Sequence, residues 1–252
     1  MESPKLNLTI ILPCYQSEIF IKQSFSILEN LLEQHSNYRL LFVDDGSKDR
    51  TGEILQSQQS RSLFSERIDV LRLHNNLGKG GAICEGAKLV KTEVLCFTDA
   101  DLAYFPENIS SFYETLLPGS VVIANRVHPK TICEISPQLF RFIATRHLAS
   151  RLFNCLTRIF LVPGIRDVQA GMKMFISKDF LRLIPYITQF RFSFDLELLT
   201  IARRQKMGII NHPVHYRYLI ENSTVHFIRD SFILLTSILK ISIRLWAGRY
   251  SP

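Results

Sequence analysis

Leu40-Leu41-Phe42-Val43-Asp44-Asp45-Gly46-Ser47-Lys48-Asp49-Arg50-Thr51, residues 40–51, decides how the fold is read. An apolar run ends in two carboxylates and a Gly-Ser turn follows. Asp49 then stands where it can cap a helix that opens near Thr51. The same arrangement recurs on both sides. Short apolar runs at 8–12, 39–43, 68–73, 94–98 and 120–124 read as strands. The segments 18–34, 51–64, 79–91 and 106–117 between them read as helices. Strands alternating with helices imply right-handed βαβ units and a mostly parallel central sheet flanked by helices. Ligands of such sheets bind beyond the carboxyl ends of the strands, so the chemistry is expected just after each strand. The second half reads differently, with helices over 137–162, a strand at 172–176, a helix at 194–206, a strand at 213–218 and a last helix over 226–247.

The whole chain has 252 residues, of which 46% are hydrophobic and 21% charged. This globular composition excludes wholesale disorder, a collagen-like repeat and a polytopic membrane protein. The net charge of +7 is uneven, because residues 201–252 carry eight basic side chains against two acidic ones. A basic end suits an anionic partner surface. A nucleic-acid reader would also need interleaved aromatics and a reading module; the charge alone is present, so no nucleic-acid partner is expected. Five cysteines with no CxxC pair argue against a disulfide framework or a zinc site and fit a reducing compartment. The first residues lack the basic and small-residue marks of a signal peptide. No stretch reaches the roughly 20 apolar residues needed to span a bilayer.

On a helical wheel the last segment gathers Arg229, Thr236, Ser237, Lys240 and Arg244 on one side, opposite a broad apolar arc that includes Ile238, Leu239, Ile241, Ile243 and Trp246. That pattern fits a basic amphipathic helix lying in a membrane interface, or one docked on the protein's own core.

Two further strand ends carry motifs. Asn75-Asn76-Leu77-Gly78-Lys79-Gly80-Gly81-Ala82 is not a Walker A loop, because no Ser or Thr follows the lysine. Its glycines still let backbone N–H groups approach a phosphate at a helix start, and Lys79 adds charge. Thr98-Asp99-Ala100-Asp101 closes the fourth strand with two carboxylates two residues apart. Such a pair can hold a hard divalent ion and leave places for substrate phosphates.

Together these motifs resemble the family 2 glycosyltransferases of GT-A type. The matching pieces are Leu12-Pro13-Cys14-Tyr15, the VDDGSKDRT string of 43–51, the Leu77–Ala82 loop and the DAD of 99–101. Asp167-Val168-Gln169-Ala170-Gly171-Met172-Lys173-Met174-Phe175 and the FDLELL of 194–199 narrow the resemblance to polyprenyl-phosphate sugar transferases, the glucosyl branch above all. The resemblance implies a nucleotide-sugar-binding GT-A domain over 1–219 and an amphipathic membrane-associated tail over 220–252. It implies an inverting transfer of a hexose, glucose from UDP-glucose, to a lipid phosphate at the cytoplasmic face of a membrane. The cofactor would be Mg2+ or Mn2+. Carried over residue by residue, Pro13, Tyr15, Glu18, Asp44, Asp45, Lys79 and Asp99 would bind the nucleotide sugar, with Asp44 at the base and Asp45 supporting the loop. Asp99 and Asp101 would hold the metal. Arg126, Asp167, Gln169 and Lys173 would form the reaction centre. Two alternatives stand beside this one: a mannosyl donor, GDP-mannose, and a non-catalytic nucleotide-sugar or membrane-binding protein, for which Tyr15-Gln16-Ser17 departs from the usual Tyr-Asn-Glu.

Overall fold

The structure, a computed structural model, describes residues 6–135, 157, 161–191, 193–217 and 227–251, with the side chains of the last helix described from residue 236 onward. Most of 137–162, read as helical from sequence, lies outside the described residues.

The first half alternates as expected. The strands are β1 (Leu8–Cys14), β2 (Tyr38–Asp44), β3 (Ile68–Arg72), β4 (Val94–Phe97) and β5 (Ser120–Ala124). The helices between them are α1 (Ile21–Gln34), α2 (Thr51–Arg61), α3 (Lys79–Ala87) and α4 (Asn108–Thr115). Strands β1 and β4 are buried on both faces, which is why they read as unbroken apolar runs rather than alternating ones. Truncating Leu12, which has no exposed surface, to alanine should cost about 2–5 kcal/mol. Helix α1 opens three residues later than its periodicity suggests. The preceding turn is taken up elsewhere: the Ser17 N–H donates to Thr51 Oγ1 and the Glu18 N–H to Asp49 Oδ2.

The second half supplies β6 (Ile132–Glu134), β7 (Lys173–Ile176), α5 (Ser177–Leu183), α6 (Phe194–Arg204), β8 (Gly208–His212), β9 (His215–Arg217) and α7 (Phe227–Trp246). The strand expected at 213–218 is present as the shorter β9, and β8, just before it, was not expected. Pro213 has no N–H to continue the ladder and separates β8, which pairs with β5, from β9, which pairs with β6.

Seven strands form one sheet in the order β3-β2-β1-β4-β7-β5-β8. It is parallel except for β7, which runs antiparallel to both β4 and β5. This insertion matters for the site. Because β7 runs the other way, its first residue, Lys173, pairs with Phe97 near the end of β4 and Ile123 near the end of β5. The segment leading into β7 is thereby delivered to the edge where the parallel strands end. The sheet order reverses between β1 and β4, the topological switch point where open α/β sheets hold ligands.

Candidate active site

A cleft of about 400 Å³ opens at that switch point. Pro13, Cys14 and Tyr15 from the end of β1 and Asp45 from the end of β2 form one side. Asn76, Gly78 and Lys79 from the glycine-rich loop, Asp99 after β4, and Arg191 complete it. Five of the nucleotide-binding residues expected from sequence therefore meet: Pro13, Tyr15, Asp45, Lys79 and Asp99. Asp44 and Glu18 are not among the lining residues. Asp44 is fully buried, accepts the Ser47 N–H at 2.9 Å and pairs with Arg72 at 3.3 Å. Glu18 braces the turn, its carboxylate accepting the Arg50 N–H at 3.0 Å. Asp49 accepts the Thr51 N–H at 3.0 Å at the start of α2.

Asp45 shapes the loop opposite it. Its two oxygens accept the N–H groups of Leu77 and Gly78 at 2.7 and 2.8 Å. Burial raises its pKa, against the hydrogen bonds and Arg191, which lower it. Gly78 has φ +87°, and a Cβ there would meet Phe190 O and the Arg191 side chain at 2.7 Å. Glycine is thus required twice over, by conformation and by the strap of 188–191 lying on the loop.

Lys79 forms an ion pair with Asp99. Burial alone would lower the Lys79 pKa, but Asp99, Asp195 and Asp101 outweigh it and hold the ammonium above its ordinary value. Asp101 follows two residues later and accepts the Ala103 N–H at 3.0 Å, a tight turn in which Leu102 takes φ +54°. The donor chemistry suits a hard divalent cation: carboxylate oxygens, already facing a cation in Lys79, with open space beside them. Gly171 makes room for the Asp99 carboxylate itself, because a Cβ there would run into it. Among the described residues no group of three or more His, Cys, Asp and Glu could hold a metal.

The residues expected at the reaction centre lie on β5 and β7 and the segments beside them. Arg126 donates to Asp167 three times, from its backbone N–H at 2.9 Å and from Nε and Nη2 at 2.8 Å each. Burial would raise the Asp167 pKa, yet the Arg126 guanidinium prevails and holds it below the ordinary carboxylate range. Lys173 is fully buried and donates to Asp195 at 2.5 Å and to the Ala170 carbonyl at 2.7 Å. Burial, the larger cause, and neighbouring Lys79 bring its pKa below the usual lysine value, against the pull of Asp195. Gln169 is partly exposed on the same segment. Arg141, Arg146, Arg151 and Arg158, in the segment between Arg126 and Arg166, lie outside the described residues.

Sequence reasoning missed Arg191 and Tyr104. Arg191 lines the cleft and donates to the Asn76 carbonyl at 3.3 Å; a basic residue just ahead of the FDLELL helix was the available signal. Tyr104 accepts the Gly171 N–H at 3.0 Å, and no local pattern announced it.

Residues 9–181, more than half of the chain, match the model of glycosyl transferase family 2. The chain belongs to this family. The dolichyl-phosphate beta-glucosyltransferase of Drosophila melanogaster is 31% identical over 228 residues, which cover 85% of this chain and 68% of that protein. The Homo sapiens protein of the same name is 28% identical, with coverages of 90% and 72%. Two solved structures share the fold of this glycosyltransferase. One is a mannosyltransferase from Pyrobaculum calidifontis in complex with GDP-Man and Mn2+, with a TM-score of 0.65 and 16% identity over 96% of this chain and 65% of that one. The other is glucosyl-3-phosphoglycerate synthase from Mycobacterium tuberculosis with UDP, with a TM-score of 0.65 and 14% identity over 94% and 80%.

The tail of the glycosyltransferase divides the broad apolar arc seen on the wheel. Ile238 and Ile241 of α7 are buried in the same apolar core that takes in Leu196 and Leu199 of α6. Leu239, Ile243 and Trp246 face outward, 61, 55 and 82% exposed. Among the described residues no helix is long and apolar enough to cross a membrane.

Proposed function

We propose that this glycosyltransferase transfers glucose from UDP-glucose to a polyprenyl phosphate of the dolichyl type, with inversion at the sugar. One observation carries the reading: a β1/β4 cleft lined by Lys79 and Asp99, with Asp101 in the turn two residues beyond Asp99, shares its sheet edge with the Arg126–Asp167 and Lys173–Asp195 pairs. A site for a nucleotide diphosphate thus adjoins cations suited to a second phosphate. The names of the relatives support the lipid acceptor and the glucosyl donor.

In the mechanism the acceptor phosphate oxygen attacks C1 of the sugar, the C1–O bond to UDP breaks, and UDP leaves with the electron pair on the opposite face. A phosphate monoester is largely ionised near neutral pH, so no strong general base is required. Asp99 and Asp101 would hold Mg2+ or Mn2+, which when bound offsets charge on the diphosphate. Lys79 and Arg191 add fixed positive charge to the same cleft. Asp167 engages one edge of the Arg126 guanidinium and leaves the rest of its donors for the acceptor phosphate. Lys173 and Gln169 orient the segment between them. The chain divides into a catalytic domain over 1–219 and a tail over 220–252. The outward stripe of Leu239, Ile243 and Trp246, with exposed Lys240 and Arg249, rests on the cytoplasmic face of a membrane as a peripheral contact.

The test is direct. Purified protein, Mn2+ or Mg2+, and a polyprenyl phosphate are incubated with labelled UDP-glucose or GDP-mannose in parallel. Label entering the organic phase from UDP-glucose supports the proposal. Label from GDP-mannose alone keeps the mechanism and replaces the donor. No lipid product from either donor refutes the acceptor.

A further inference from the structure

A buried carboxylate outside the cleft has more partners than any other side chain described here. Glu197, in the first turn of α6, is fully buried. Its Oε2 accepts the N–H groups of Thr188 and Gln189, both at 2.6 Å. Its Oε1 accepts the Thr188 hydroxyl and the Tyr250 hydroxyl, both at 2.7 Å. Four donated hydrogen bonds saturate the two oxygens. Arg244 of α7 adds a charge at 3.8 Å and lies over the Tyr250 ring. Glu197 thus joins two segments far apart in sequence, the strap of 188–191 and the C-terminal end of the chain.

The strap in turn holds the cleft. The Phe190 carbonyl accepts the Gly80 N–H at 2.8 Å at the start of α3, and Arg191 packs over Gly78 and donates to Asn76. Asn76, Gly78 and Lys79 line the cleft. A continuous chain of contacts therefore runs from Tyr250 through Glu197 and the strap to the loop that faces the ligand.

We propose that Glu197 is a positioning residue for donor binding: it fixes the strap on the glycine-rich loop, and it does so fully when the C-terminal segment has seated Tyr250 and Arg244 against it. None of these three residues lines the cleft. They act on it through Thr188, Gln189 and Phe190. The end of the membrane-facing helix and the donor cleft are then two faces of one contact network.

The test compares the full chain with Tyr250→Phe, which removes one hydroxyl and keeps the ring, and with Glu197→Gln. Hydrogen–deuterium exchange is followed in peptides covering 76–82 and 187–191, with β2 as the internal control. UDP affinity in the presence of Mn2+ is measured by calorimetry, and thermal midpoints are recorded alongside. Tyr250→Phe is expected to speed exchange at 76–82 roughly threefold or more and to weaken UDP about fivefold. Glu197→Gln should do more of both; should it fail to fold, Tyr250→Phe alone decides. A purely structural role would lower the thermal midpoint, confine faster exchange to 244–251 and leave 76–82 and UDP affinity unchanged; that result overturns the proposal. The affinity arm rests on the nucleotide reading of the cleft and the exchange arm does not. A wild-type chain that binds no UDP strikes at that reading, and the exchange at 76–82 then settles the positioning role by itself.

Discussion

Replacing Arg126 by methionine leaves Asp167 with a single hydrogen bond from residue 126, the backbone N–H, and removes both guanidinium contacts. The Asp167 side chain is 5% exposed and that of Arg126 34%. Breaking a fully buried pair from one side costs about 3–5 kcal/mol. Solvent reaches a third of this arginine, so screening reduces the expected loss to about 2–4 kcal/mol. The thermal midpoint should fall by about 5–15 °C. The pH dependence sharpens the test. In the wild type the depressed Asp167 pKa contributes stability that is fully present above the ordinary Asp value near ~3.9 and is lost as pH falls through the lower folded value. In the variant burial dominates and the folded pKa rises above the unfolded one. The resulting penalty is present near neutral pH and fades as pH falls. Urea denaturation should therefore show a gap between the two proteins that narrows between about pH 7 and about pH 4. A gap below about 1 kcal/mol, or one independent of pH, would refute the assignment of Arg126 as the counter-charge of Asp167.

Gly171→Ala places a methyl group against the Asp99 carboxylate and should weaken Mn2+-dependent UDP binding about tenfold, read by calorimetry; unchanged affinity would mean that Asp99 does not need that space. Asp101→Ala should abolish transfer at saturating metal, and wild-type turnover would remove it from the metal site. Chelation with EDTA should stop transfer, and added Mn2+ or Mg2+ should restore it; activity that survives chelation contradicts the metal proposal. Trp246→Ala should lower partitioning to anionic vesicles about tenfold in a sedimentation assay, and an unchanged partition would turn attention from this stripe.

The parallel half of the fold was legible because its signals are local. An apolar run, a carboxylate pair and a polar turn lie within a dozen residues at 40–51, and the structure spaces β2 and α2 accordingly. The cleft was legible for the same reason, each of its motifs closing a strand. Non-local features escaped. The direction of β7 depends on which strands it meets, and nothing within 172–176 records that. Strand β8 was missed because Asn211 and His212 interrupt its apolar run, while Pro213 sets it apart from the strand read at 213–218. Arg191 reaches the cleft across a loop held by Glu197, so its place depends on a carboxylate six residues later in sequence and on the chain's end. The wheel of α7 identified an apolar arc but could not divide it between the core and the outside. That division is set by the core into which Ile238 and Ile241 are buried.

The reversed strand also bears on how such a protein can change. Residues that line the cleft come mainly from the chain up to Asp99, and those paired at Arg126, Asp167 and Lys173 come after it. Since β7 enters the sheet head-on between β4 and β5, the stretch before it can be lengthened or rewritten without disturbing the ladder that holds the first half. On the proposed function, recognition of the donor would then belong to the first half of the sheet and recognition of the acceptor to the segments around β7. A change of acceptor would in that case leave the nucleotide half of the sheet as it is.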